Sequence, residues 1–382
     1  MPEERNIFER RPGLTIIIFL FILFLFLDFI AGLFLIKEDY QSFRVQHYYY
    51  HHGLRPNHQA FARWSVNIYP FNTNSLGFRD FQPRKISLKK NQRRILFLGD
   101  SHTEGVDLPF ESTFTGLLAT KAEQHNTEIL SAAAVSYSPR IHYLITEFFI
   151  EKRKLECDEI YVFIDISDIQ NELVYEKYYP GKYNVLTRLF YNTRNFFFRN
   201  SFIFHSVKKI VTERGKEKFY NRIAGGKQEE KKISETFSAD LYYSFFTHFD
   251  DNILLANPRF HGVGDWLYDR EFKTLAMKGI QLGQENIARL NEICRKHGIR
   301  LTIAVQPWHS QIKMRKTVDE YVESWMKFAE KNDIGFINLY PLFINEENPQ
   351  AVIKKYYIKN DNHWNREGHQ KVARYLEKII WN

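Results

Sequence analysis

The sequence predicts an α/β protein: a doubly wound parallel sheet flanked by helices, preceded by one transmembrane helix and interrupted by a basic, aromatic insertion. Three observations predict it. From residue 93 onward, apolar runs without polar alternation recur between amphipathic stretches, the pattern of parallel strands buried on both faces and joined by helices. One long unbroken apolar stretch stands near the N-terminus, and positive charge gathers in one block. With 382 residues, 44% of them hydrophobic and 16% aromatic, the chain is long enough for one large domain with additions, or for two domains.

Taken in order, residues 1–13 form a short N-terminal segment containing Arg5, Arg10 and Arg11. Residues 14–36 read LTIIIFLFILFLFLDFIAGLFLI. As a helix rising about 1.5 Å per residue they reach about 34 Å, enough to cross a hydrocarbon core of about 30 Å. The arginines before this stretch, and the absence of net positive charge in Lys37, Glu38 and Asp39 after it, keep 1–13 cytoplasmic and export the bulk of the chain. The run exceeds a usual signal-peptide core and lacks an Ala-x-Ala exit, so an uncleaved signal anchor is expected. That predicts a single-pass protein of the cytoplasmic membrane, periplasmic in its bulk if the host has an outer membrane. Asp28, inside the span, points either to a protein partner in the membrane or to a protonated or near-interface carboxyl.

Residues 37–92 form a membrane-proximal segment rich in His, Tyr and Asn, with weak periodicity and the turn-bearing stretch YPFNTNSLGFRD. The domain at 93–382 then alternates. Strands are expected at RILFLG (94–99), EILSAAAV (128–135), EIYVFID (159–165), IRLTIAV (299–305) and IGFINLY (334–340). Helices are expected at 110–125, 139–154, 273–297, near 310–331, and from about 367 to 380. An insertion at about 176–266 breaks the alternation. Between 176 and 232 it carries 14 Lys or Arg against 5 Asp or Glu, while the whole chain has a net charge of +8. Such a block suits an anionic polymer, lipid head groups or a solvated charged face. The exported placement argues against nucleic acid.

Two cysteines, Cys157 and Cys294, flank or sit within apolar segments and are expected as buried unpaired thiols. They build no metal-ligand cluster, and no cofactor or metal is implied.

The chemistry concentrates in ILFLGDSHTEG, residues 95–105, where aliphatics stop at Gly-Asp-Ser and polar residues of helix-start character follow. Gly99 permits a tight turn at the C-terminal end of a parallel strand, where open α/β sheets bind ligands. Ser101 there is either a helix cap or a nucleophile, and a nucleophilic serine requires a base oriented by a carboxylate. Near the C-terminus, YYIKNDNHWNREGH (356–369) offers Asp361 and His363 on a loop before the last helix, while His369 falls on that helix in a structural position. Asp165 and Asp168 read as loop caps, and His102 as exposed.

GDS after a first strand, with a late Asp-x-His-Trp-Asn-x-x-Gly-His, resembles the SGNH/GDSL hydrolase superfamily. Within it the chain is most similar to the membrane-anchored bacterial branch of polysaccharide O-acetyltransferase and acetylesterase proteins, over roughly 93–382. The resemblance implies Ser101 as nucleophile, His363 as general base and Asp361 as its orienting carboxylate. It also implies an oxyanion hole from the Ser101 backbone, a residue after the second strand and a residue after the third. Ser136 stands where the family has a glycine, and Ser167 where it has an asparagine with a longer donor. The NSLGFRD segment is also typical of that branch, so Asn74 and Arg79 become candidate substrate-binding residues, against a plain structural turn.

The function expected is a membrane-anchored extracytoplasmic serine esterase or O-acyltransferase, acting on acyl, chiefly acetyl, esters of a cell-envelope carbohydrate or lipid-linked polymer. The alternative is a non-catalytic glycan-binding or scaffold protein on the same fold. Phosphoryl transfer is disfavoured, because no carboxylate cluster suggests a metal.

Overall fold

The computed structural model describes residues 11–35, 40, 42–64, 67–181, part of 186–207, 267–268, 270, 273–344, 348–359 and 361–381. They fall in two compact units, Met1–Asp39 with Tyr183–Thr236, and Tyr40–Lys182 with Phe237–Asn382. Most of the insertion expected at 176–266 lies outside the described residues.

In the first unit, helix α1 (Pro12–Leu35) is long and apolar enough to cross a membrane by length and composition. Its side chains are exposed along nearly the whole length, as expected of a helix whose apolar surface finds no protein core. Asp28 on this helix accepts a hydrogen bond from the Ile203 backbone N–H at 2.9 Å, and Phe29 stacks on Phe196 with ring centroids 6.3 Å apart. The carboxylate therefore has a partner within its own chain. Leu186, Phe190, Phe204 and Val207 of the same unit are exposed as well.

The second unit is built on an eight-stranded sheet. In chain order the strands of this unit are β1 (Arg44–His47), β2 (His51–Leu54), β3 (Gln59–Trp64), β4 (Asn67–Thr73), β5 (Arg79–Asp80), β6 (Arg93–Leu98), β7 (Thr127–Ser131), β8 (Glu159–Ile164), β9 (Arg300–Val305) and β10 (Gly335–Asn338). β1 and β2 form a separate antiparallel pair, and the large sheet runs β10-β9-β8-β6-β7-β5-β4-β3. The five strands from β10 to β7 are mutually parallel, and β5, β4 and β3 continue the sheet antiparallel. The parallel strands fall where the apolar runs predict, because a strand covered on both faces has no polar position to alternate. All of β8 and all but the first residue of β6 are buried.

The helices of this unit are α2 (Ser101–Glu104), α3 (Phe114–Ala122), α4 (Pro139–Thr146), α5 (Asp168–Tyr175), α6 (Lys273–His297), α7 (His309–Met314), α8 (Glu320–Lys331), α9 (Tyr340–Ile344), α10 (Pro349–Tyr356) and α11 (Arg366–Trp381). The chain steps from β6 to one side for β7, then returns across β6 for β8. A crevice therefore opens beyond the carboxyl ends of β6 and β8, where strand order reverses.

Two expectations change. The segment at 37–92, weakly periodic in sequence, contributes five strands, three of them in the main sheet. Its pattern is obscured because three of the strands, β1, β2 and β5, are only four, four and two residues long and β2 is buried throughout. The single helix near 310–331 is two, α7 and α8. Arg315 adopts a left-handed conformation, φ 55°, which ends α7, and Asp319 starts α8 by accepting from Val322 N at 2.9 Å. Cys157 and Cys294 are buried and unpaired.

Candidate active site

β6 ends at Leu98, and the chain turns at Gly99. A Cβ there would lie 2.1 Å from Thr103 Oγ1, so only glycine lets the turn close on itself. Asp100 is the cap of α2: its carboxylate accepts from His102 N at 3.0 Å. Capping is thus performed by the aspartate, and Ser101 becomes the first helical residue with its hydroxyl available for another partner.

That partner is His363. Ser101 Oγ lies 2.7 Å from His363 Nε2, and His363 Nδ1 makes a close hydrogen bond with Asp361 Oδ1. An ionised carboxylate can only accept, so Nδ1 carries the ring proton and the Nε2 lone pair accepts the serine hydroxyl. Asp361 Oδ1 also accepts from His363 N at 3.0 Å. The other oxygen, Oδ2, accepts from Trp64 Nε1 at 2.7 Å, and the Trp64 ring stands edge-on to the imidazole, centroids 5.1 Å apart. Burial alone would raise the Asp361 pKa. The charge and hydrogen bonds of His363, with the Trp64 donor, hold it well below the ordinary carboxylate range. Ser101, His363 and Asp361, paired from sequence across more than 250 positions, are therefore in contact.

Ser136 is buried in the loop after β7, in the left-handed region at φ 64°. That conformation favours glycine, which gives a backbone reason for the glycine that the resemblance implies here; Ser136 adopts it against that preference. The loop runs beside Gly99, with Ala134 N donating to Gly99 O at 3.3 Å. Ser167 differs from expectation. Its hydroxyl donates to Asp165 Oδ1 at 2.6 Å and its N–H to the same oxygen at 2.8 Å, so the short side chain closes its own loop.

Asn74 and Arg79 also depart from the substrate-binding expectation. Asn74 Nδ2 donates to Asp80 at 2.9 Å, and its Oδ1 accepts from Leu76 N and Phe78 N at 3.0 and 3.2 Å, a closed side-chain turn. Arg79 is 1% exposed, and its guanidinium donates to the carbonyls of Glu104, Gly105 and Leu108. It braces the C-terminal end of α2, where the helix-end carbonyls attract a cation. His102, expected exposed, is buried, with Nε2 2.9 Å from Asn362 O. The hydroxyl of Ser167, the amide of Gln306 at 3.1 Å and the His102 ring all converge on Asp165, a loop-capping role as expected. Asp168 Oδ2 accepts from Asp165 N at 3.1 Å. His369 accepts from Phe114 N at 3.2 Å and, pushed far down by burial and the charge of His102, is a neutral structural acceptor.

Sequence reasoning missed Trp64, and it missed Glu104. The Glu104 carboxylate is fully buried, paired with Arg44 in a two-pronged ion pair at 2.6 and 2.8 Å, and accepts from Val135 N at 2.9 Å. Its signal was a carboxylate three residues after Ser101; nothing local in β3 marked Trp64. Among the described residues, Asp100, His102 and Asp165 have ligand atoms within 4.8 Å of one another, the size of a metal site. Asp100 and Asp165 are also engaged by His102 N, Ser167 and Gln306, which makes the set a closed cluster of charges rather than an open coordination sphere.

A parallel-cored sheet with a serine after β6 and a histidine–aspartate loop before the last helix is the arrangement that the resemblance to SGNH hydrolases implies. Residues 260–381 match the family described as SGNH hydrolase-like domain, acetyltransferase AlgX, a span that contains Asp361 and His363 but not Ser101. No curated protein sequence matches the chain. Among solved structures, the protein YxiM of Bacillus subtilis matches at 12% identity and TM-score 0.40, and the chain spans 78% of its own length but 60% of that protein's. An acetyl xylan esterase, AlAXEase, matches at 12% identity and TM-score 0.39, over 75% of this chain and 99% of that one. A catalytic mutant of Axe2, an acetylxylan esterase from Geobacillus stearothermophilus, matches at 11% identity and TM-score 0.39, over 77% and 97%. At such scores nothing about activity follows from the structures.

Proposed function

We propose that the protein is a membrane-anchored serine acyl esterase or O-acyltransferase acting outside the cytoplasm on acyl, chiefly acetyl, esters of a cell-envelope carbohydrate or lipid-linked polymer. The observation that carries the reading is the 2.7 Å contact between Ser101 Oγ and His363 Nε2, with Asp361 bonded to the far side of the ring. His363 takes the Ser101 proton as the oxygen attacks the ester carbonyl, and Asp361 stabilises the imidazolium that forms. His363 then returns the proton to the leaving alkoxide, giving an acyl-serine, and afterwards deprotonates the acceptor that resolves it.

Developing charge on the carbonyl oxygen falls to backbone donors. Among the described residues the N–H groups of Ser101 and Ser136 have no acceptor, which suits them to an oxyanion. With Ser167 held by Asp165, they act without a third donor from that side chain. Water as acceptor makes the protein an esterase, and a sugar hydroxyl makes it a transferase. Anchoring is supported by the length and apolarity of α1, and export of the bulk by the arginines that precede it.

The test uses the full chain in detergent, offered p-nitrophenyl acetate and a serine-reactive fluorophosphonate beside Ser101→Ala. Labelling at Ser101 and hydrolysis above the variant support the reading. Adding acetylated and free oligosaccharides separates acyl transfer from hydrolysis. A wild-type chain that neither labels, hydrolyses nor transfers sinks the enzyme reading in favour of a scaffold.

A further inference from the structure

His102 directly follows Ser101, yet its ring is 1% exposed and has its own set of partners. Nε2 lies 2.9 Å from Asn362 O. Nδ1 lies 3.3 Å from Asp165 Oδ2 and 3.8 Å from Asp100 Oδ1. A carbonyl oxygen has no proton to give, so Nε2 must carry one. The opposite nitrogen faces two carboxylates, which attract a proton and repel a lone pair, so it carries the second. The remaining neighbours are the His363 ring at 4.6 Å, Trp364 at 5.2 Å and Trp308 at 6.2 Å, with neutral His369 and the acid Asp168 beyond.

The accepting carbonyl belongs to the residue between Asp361 and His363. The loop's own bonds run from Ile358 N to His363 O at 2.9 Å and from Asp361 N to Ile358 O at 3.1 Å, and Trp64 Nε1 reaches the Asp361 carboxylate from outside it. The His102 bond links it to the turn that carries Ser101.

We propose that His102 is a positioning residue: a buried imidazolium, held by Asp100 and Asp165, whose Nε2–H fixes the Asn362 peptide and thereby sets the His363 ring opposite Ser101. Burial by itself would lower the ring's pKa, but the carboxylates of Asp100 and Asp165 beside Nδ1 outweigh it and raise it to about 10. Asp165, which burial alone would raise, is drawn well below the ordinary carboxylate range by the same contact. Nothing in this arrangement touches substrate. The role rests on the reading of Ser101 and His363 as nucleophile and base.

The experiment uses the full chain in detergent with 15N-labelled histidine, together with His102→Gln, which keeps an N–H donor within reach of Asn362 but no charge, and His102→Leu, which keeps neither. At pH 7.5, set between about 6.5 for a free imidazole and the raised value, the His102 ring should show two protonated nitrogens, with the signal absent from both variants. The His363 signals should move in the Leu variant and lie nearer wild type in the Gln variant. With p-nitrophenyl acetate, kcat should fall about 100-fold in His102→Leu and about 10-fold in His102→Gln while KM stays within about 2-fold, the mark of a misplaced base rather than lost binding. A neutral His102 ring overturns the proposal. So do unchanged His363 signals in a folded Leu variant, or equal losses in the two variants. If wild type is as inert as Ser101→Ala, the esterase reading fails separately, and the ring signals still decide the structural half. The wild-type spectrum stands even if the Leu variant does not fold.

Discussion

The two halves of the sheet differ in what they bring to the site. The parallel half, β7-β6-β8-β9-β10, ends in the loops that carry the proposed nucleophile Ser101 after β6, the oxyanion donor Ser136 after β7 and the Asp165 cluster after β8. The N-terminal antiparallel strands bring none of these. They contribute Trp64 on Asp361, Arg79 on the α2 carbonyls and, from β1, Arg44 on Glu104. Reacting groups lie at the carboxyl ends of parallel strands because the strand order reverses there and leaves a crevice. The braces come from a different part of the chain because each must approach that crevice from outside it. The comparison teaches that the segment at 37–92 is part of the site's support, not merely a spacer.

If this division holds, changes in the parallel half abolish chemistry in a folded protein. Ser101→Ala and His363→Gln should each lower ester turnover by at least about 10³-fold, and the double variant should lose little more, since the two act as a unit. A single variant retaining a tenth of wild-type turnover breaks the division at once.

Changes in the braces should instead appear first in stability. Arg44→Met leaves Glu104 buried with its carboxylate unpaired, its side chain being fully inaccessible. The cost of breaking such a pair is about 3–5 kcal/mol, a fall in Tm on the order of 10 °C. Thermal unfolding of the full chain in detergent measures it, and an unchanged Tm would show that Arg44 is not a brace.

The parallel half has a support of its own that weakens as pH rises. Glu172 on α5 accepts from Ser138 Oγ at 2.8 Å and Asn286 Nδ2 at 2.9 Å, tying the loop after β7 and α6 together, and burial raises its pKa to about 7. Between about 4.5 and 7 the folded state holds a proton that the unfolded state has released, so stability falls as pH rises through that window. The loss, complete above pH 7, amounts to about 3 kcal/mol at most. Glu172→Gln should flatten that part of the stability–pH curve. An identical slope in wild type and variant would place the titration elsewhere.

Smaller still, Trp64→Phe keeps a ring against His363 but removes the donor to Asp361. A hydrogen bond to a charged group contributes about 1.5–3 kcal/mol, so kcat should fall on the order of 10-fold or somewhat more, with fold and KM retained. A drop in Tm without a drop in kcat would make Trp64 a brace of the hairpin rather than of the aspartate.

The sequence by itself determined the α/β class, the five parallel strands and the pairing of Ser101 with the Asp361–His363 loop. Buried parallel strands leave continuous apolar runs, and the chemistry of a serine nucleophile demands a base that only one late loop offered. It also separated His369 from His363, since a residue on an amphipathic helix reads as packing. Only the tertiary structure decided that Asp100 rather than Ser101 caps α2, that Ser167 closes on Asp165, that Asn74 closes its own turn and that Arg79 meets the carbonyls after α2. It alone buried His102 and brought Trp64 to Asp361 across 297 positions. The physical reason is the same in each case. A polar side chain's role is set by which unsatisfied group lies within about 3 Å of it, and local pattern records the spacing of apolar residues, not what a polar one meets.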